Sequence, residues 1–178
     1  TLFRSRYWGM KPEIIDERDW NQSVRISDEL TVHVLPARHF SGRGIKRDRT
    51  LWGSFMFVTP EQKVYYSGDS GYGPHFKAIG EQFGEVDLAI MENGQYDQDW
   101  KYIHMLPEET AQASADLGAK AVVPGHNGRF VLAKHAWNDP LIQLANASKD
   151  QNYRLLTPEL GEPVRVSDTT QTFRTWWE

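Results

Sequence analysis

Residues 63–91, KVYYSGDSGYGPHFKAIGEQFGEVDLAIM, decide the fold. A short β-rich run, KVYYSG, gives way to a glycine-rich turn. GPHFKAIGEQFG then spaces Phe76, Ile79 and Phe83 at i, i+3 and i+7, which predicts an amphipathic helix opened by Pro74 and stopped by Gly84. VDLAIM follows at once, an apolar run of buried-strand length. The scheme repeats in LPEETAQASADLG, residues 106–118, where Pro107 starts a helix, Glu108 and Glu109 suit its dipole, and Gly118 ends it. AKAVVPGH, residues 119–126, is another buried strand. An order of strand, helix, strand, helix, strand implies an α/β layer arrangement.

Outward from this unit, LTVHVLP (30–36) alternates, with Leu30, Val32 and Val34 on one face, and stops at Pro36. LWGSFMFVTP and KVYYSG, separated by Thr59-Pro60-Glu61-Gln62, predict a β-hairpin. A helix around Pro140 to Ser148 and short strands complete the C-terminal part. No linker, low-complexity tract or internal repeat divides the chain, so residues 1–178 read as one domain.

Composition narrows the function classes. An apolar share of 39% with 12% aromatics is enough for a packed core. Twenty basic against twenty-four acidic residues give a formal charge of -4 without a Lys/Arg stripe, which argues against a nucleic-acid partner. There is no cysteine, so a metal would have to be held by histidine and carboxylate. No apolar run is long enough to span a membrane. The opening TLFRSRYWGMK has neither an initiator Met nor a signal-peptide core, and reads as a truncated or processed start. The expected location is cytoplasmic, with peripheral membrane association as the other option.

Three polar residues stand just beyond candidate strands: His39, Asp69 and His126. Strand ends and the loops leaving them are where α/β proteins assemble sites. Spacing alone is a weak signal, because a lone histidine after a strand is more often a surface residue, and Gly68-Asp69-Ser70-Gly71 also suits a plain turn. The same GDSG invites comparison with a serine nucleophile, but nothing in the chain nominates the base and orienting acid that a triad needs, and Ser70 is set aside. His33, His75 and His135 read as structural.

Several ordered motifs change that balance: ARHFSGRG, LWGSF, YYSGDSGYGPHFKAIGEQFGEVDLAIMENGQY and HMLPEETAQASADLGAKAVVPGHNGRF. Together they resemble the second half of a group in the metallo-β-lactamase superfamily that includes N-acyl-phosphatidylethanolamine-hydrolysing phospholipase D, with ascorbate-6-phosphate lactonases as more distant relatives. The resemblance implies the C-terminal half of an αββα sandwich that lacks the N-terminal HxHxDH half. It implies two metal ions, usually zinc, with iron or manganese also admissible. It assigns His39 and His126 as ligands of one metal each and Asp69 as the bridging carboxylate, the arrangement by which two metals activate water and clamp the bond being broken. It places His104 near the substrate, in both a catalytic and a substrate-binding role. Arg43 and Tyr96 are weaker substrate-binding candidates.

The expected activity is therefore hydrolysis of a phosphodiester, ester or lactone, on a small molecule or a lipid phosphoester. The competing expectation is a non-catalytic fragment or complementation partner that binds metal weakly or only with another chain. In either case the missing half, or a second chain, is expected to cover an open sheet face.

Overall fold

The computed structural model describes residues 9–42, 47–48, 50–130 and 132–178. Seven strands form one mixed sheet whose spatial order equals the chain order: β1 (Gln22–Arg25), β2 (Thr31–Leu35), β3 (Ser54–Val58), β4 (Lys63–Tyr66), β5 (Leu88–Glu92), β6 (Ala121–Gly125) and β7 (Arg154–Leu155). β1 to β4 are an antiparallel meander, and β4 to β7 are parallel. The expected hairpin is β3–β4, closed by Thr59 and Gln62, which bond through backbone and the Thr59 hydroxyl.

Three helices serve the parallel half: α1 (His75–Phe83), α2 (Pro107–Asp116) and α3 (Asp139–Ala147). α1 ends at Gly84, whose φ of 69° lies in the left-handed region that a residue without Cβ enters at little cost. Phe76 and Ile79 are buried as the helical spacing predicts, and Phe83 packs at the margin. Pro107 opens α2, and the carboxylate of Glu109 accepts the Leu106 N–H, supplying the cap that the sequence lacks at the preceding position. α3 packs on α2 and buries Leu141 and Leu144.

Strand register sorts the side chains onto two faces. His33, Met56, Tyr65, Ala89 and Val122 stand side by side across β2 to β6 on the face that α1 and α2 cover. Leu35, Met56, Tyr65, Met91 and Val122 are fully buried there with Phe76, Met105 and Leu117. Each large apolar side chain so buried contributes roughly 1.5–3 kcal/mol.

On the other face run Val34, Phe55, Tyr66, Ile90 and Val123, with Val32, Phe57, Val64 and Leu88 alongside. The C-terminal segment covers part of it, with Val164, Val166 and Phe173 packing on Leu88, Ala121 and Leu156. Towards β2 and β3 this face is only half-buried, and Tyr66 is 44% exposed.

Two details depart from the sequence expectation. β1 is not signalled by any apolar alternation, because it is a polar edge strand in which only Val24 is part-buried. Beyond β7, a strand of two residues, the described C-terminal residues add no further strand. Pro158, Gly161 and Pro163 interrupt that segment, and proline cannot donate to a ladder.

Candidate metal centre

β4, β5 and β6 are parallel, and β2 runs in the same direction as β4 because two antiparallel pairings separate them. Their C-terminal ends therefore share one edge of the sheet. His39 lies beyond β2, Asp69 follows β4, Glu92 closes β5 and His126 follows β6. The edge on which α/β sheets usually build sites collects four metal-competent side chains from four strands.

At that edge His126 Nε2 lies 3.7 Å from Asp69 Oδ1. The ring of His104 stands between those of His39 and His126, at centroid distances of 5.4 and 5.5 Å. Ligand-capable atoms of Glu92, His104 and His126 all lie within 4.8 Å of one another. His39 Nδ1 donates to the Phe40 carbonyl at 2.8 Å, and its ring stacks on Phe40. A nitrogen facing a carbonyl oxygen must carry the hydrogen, so His39 keeps Nε2 as its free lone pair. A cleft of about 400 Å³ opens beside it, lined by Ser41, Gly42, Leu51 and Trp52 among others.

The loops are tied to one another. Gly71 N–H donates to the Arg38 carbonyl at 2.8 Å, and Arg38 N–H to Ser70 Oγ at 2.9 Å. These bonds lash the β2 exit loop, which carries His39, to the loop that carries Asp69. A Cβ at Gly71 would overlap the Tyr102 carbonyl, so glycine permits the Asp69 loop to pack on the segment leading to His104. Arg38 also spans this seam, its guanidinium donating to the Tyr72 carbonyl and lying 4.5 Å from the Tyr102 ring centre.

His126 has φ 62°, a left-handed conformation that costs a non-glycine residue about 1–2 kcal/mol. Such strain is characteristic of functional positions. His104 is buried, and its Nδ1 meets the Glu92 carboxylate at 3.2 Å.

The remaining candidates fall elsewhere. The Tyr96 hydroxyl bonds the Asp139 carboxylate at the start of α3, its ring stacks on His135, and it lines a separate cleft with Asp97, Gln98, Leu106 and Lys134. Burial, then the Asp139 bond, push its phenol pKa up. Arg43 lies outside the described residues. Ser70 is fully buried, with its Oγ accepting from Arg38 and donating to the Gly71 carbonyl, a loop-fixing role. His75 sits 3.4 Å from that Oγ, and burial followed by the Arg38 charge lowers its pKa to about 4. His33 packs edge-on against Phe83.

Sequence reasoning missed Glu92. Its signal was present, because an acid directly after the apolar run VDLAIM must be buried with the strand unless the strand stops short. Burying a carboxylate is costly without partners, so such a residue marks a network or a site.

The chain is also similar to known proteins. Residues 4–127 match the family described as Beta-lactamase superfamily domain. The Klebsiella pneumoniae protein named Outer membrane protein RomA is 80% identical over 106 residues, 60% of this chain and 80% of that one. A Mycobacterium tuberculosis protein of uncharacterized function is 42% identical over 177 residues, 97% of this chain and 46% of that one. The Saccharomyces cerevisiae mitochondrial N-acyl-phosphatidylethanolamine-hydrolyzing phospholipase D is 30% identical over 157 residues, 82% of this chain and 34% of that one. The chain thus spans about half or less of the mycobacterial and yeast relatives. In fold it is similar to a metallo hydrolase from Ignicoccus hospitalis, with TM-score 0.66 and 20% identity over 92% of this chain and 71% of that one.

Proposed function

The chain belongs to the beta-lactamase superfamily, and from that premise we propose that it is the C-terminal half of a metal-dependent hydrolase with a dinuclear centre, most simply zinc. The observation that carries this reading is the convergence of His39, His104 and His126 with Asp69 and Glu92 at one sheet edge. Imidazole and carboxylate are the donors zinc takes in catalytic sites, and they also suit iron or manganese.

His39 and His126 would each hold one ion, with Asp69 between them and the remaining ligands supplied by the other half of the sandwich. Bound metal would supply Lewis acidity and an activated water. His104, beside both ligand histidines, would act as a general base that accepts a proton during the reaction and returns it to the leaving oxygen.

The half-open face of Val32, Val34, Phe55 and Phe57 is where the other half would pack. The favoured substrate is a phosphodiester, in line with the phospholipase relative; a carboxylic ester or lactone is the second class. No observation favours a non-catalytic fragment. Among the described residues no helix is long and apolar enough to cross a membrane.

The test is zinc-dependent hydrolysis of bis(4-nitrophenyl) phosphate by the full-length protein, with a carboxylic ester and a lactone in parallel. Turnover that is abolished by chelation and restored by zinc is expected. Metal-independent turnover, or none on any of the three substrates with zinc bound, would overturn the reading.

A further inference from the structure

The Glu92 side chain is engaged at every polar atom. Oε1 lies 3.2 Å from His104 Nδ1, and Oε2 accepts the Met105 backbone N–H at 2.9 Å. Its backbone is clamped as well, with its N–H donating to Ser67 Oγ at 2.8 Å and its carbonyl accepting from Thr110 Oγ1 at 3.0 Å. The residue is 3% exposed, against 46% for the Asp69 side chain. The carboxylate thus holds the segment that leads into α2, while the backbone of the same residue is tied to Ser67 after β4 and to Thr110 in α2.

The geometry points to Glu92 as a positioning residue that fixes the ring and the tautomer of His104. The inference rests on the metal-dependent hydrolase reading for the use made of that ring, but not for the geometry itself. The Met105 amide can only donate, so the oxygen it meets is an acceptor, and when the carboxyl is ionised its other oxygen can only accept as well. His104 Nδ1 must then carry the hydrogen. Nε2, on the opposite side of the imidazole, is left bare and turned away from Glu92. The ring is also caged by His39 at 70° and His126 at 31°, so it has little freedom to rotate. A histidine that must meet substrate in one orientation needs such a partner, because a neutral imidazole with the wrong nitrogen protonated offers a donor where an acceptor is required.

The same atoms permit a rival role. Glu92, His104 and His126 could hold a metal directly. In that case Glu92 would have to give up one of its present hydrogen bonds, and metal content would depend on it.

The test uses full-length protein with ¹⁵N-labelled histidine at pH 8, with and without Zn²⁺, and His104→Asn to assign the ring signals. The native protein is expected to show His104 with Nδ1 protonated and Nε2 bare, a readout that needs neither a variant nor activity. Glu92→Gln keeps the shape but has a single acceptor oxygen. With that oxygen on Met105 N–H, the amide NH₂ faces Nδ1 and the ring is expected to switch to the Nε2–H tautomer. Turnover should then drop by roughly 10²-fold with KM and zinc stoichiometry little changed.

A native ring with bare Nδ1 or with both nitrogens protonated, an unswitched ring in Glu92→Gln, or, where the native protein is active, unchanged turnover in Glu92→Gln overturns the proposal. Loss of zinc in Glu92→Gln overturns it in favour of a ligand role. If the native protein hydrolyses nothing yet the tautomer switches, the hydrolase reading fails and the positioning role stands.

Discussion

Gly94 and His126 lie so close that a Cβ on Gly94 would overlap the His126 carbonyl oxygen. The end of β5 therefore seats the left-handed residue that follows β6, and only a glycine leaves room for it. Gly94→Ala is expected to push His126 out of place, lowering stability by about 1–3 kcal/mol, as overpacking does, and weakening zinc binding at least tenfold. Urea unfolding and zinc titration measure the two effects. Native zinc affinity in a destabilised variant would show that this contact serves packing alone.

His104 is expected to act on substrate rather than to hold metal. His104→Ala in metal-loaded full-length protein should keep its zinc content and lose roughly 10²-fold in turnover, a usual cost of losing one positioned general base. Metal analysis beside steady-state kinetics decides between this role, a ligand role in which zinc is lost, and a scaffold role in which neither changes.

Asp69 faces His126 at 3.7 Å and, in the proposed centre, would take the shared position between two ions. Asp69→Ala should lower the bound zinc from two ions to one or none and abolish turnover. His39→Ala should remove one ion while His126 and Asp69 retain the other. Equal loss of both ions from His39→Ala would show that the two positions are not filled independently and would overturn this division of ligands.

His75 sets a pH dependence of stability. Its pKa falls from 6.5 to about 4 on folding, chiefly through burial and then through Arg38. The unfolded chain therefore binds more protons between these values. The stabilisation is present above about pH 6.5, is lost as pH falls from about 6.5 to 4, and changes no further below that. The full shift corresponds to about 3 kcal/mol, which solvent screening of the partly exposed ring reduces to about 1–2 kcal/mol. Urea melts at pH 7 and pH 4.5 should show this difference in the native chain and much less of it in His75→Gln. Equal slopes in the two proteins would assign the acid sensitivity to the carboxylates.

The half-open face at β2 and β3 should make the 178-residue chain self-associate when produced alone. Replacing Phe57 with Asp should shift it towards a monomer in light scattering while leaving its zinc affinity as it was. A native chain that is already monomeric would mean that this face needs no cover.

The sequence by itself determined the local elements and the candidate ligands. Period-3.6 spacing in Phe76, Ile79 and Phe83, proline openings and glycine stops placed α1 and α2, and the family motifs singled out His39, Asp69, His126 and His104. Only the tertiary structure decided how β1 pairs, which face of the sheet is left half-open and which acid joins the histidines. β1 carries no apolar pattern because an edge strand is held by backbone bonds to one neighbour rather than by buried side chains. In the sequence Glu92 is the acid that follows the apolar run VDLAIM, and nothing local names its partners. Its partners, His104, Met105, Ser67 and Thr110, come from before β5 and from well after it. Hydrogen bonding between such segments depends on parallel strands aligning their C-terminal ends, a long-range fact that local periodicity does not encode.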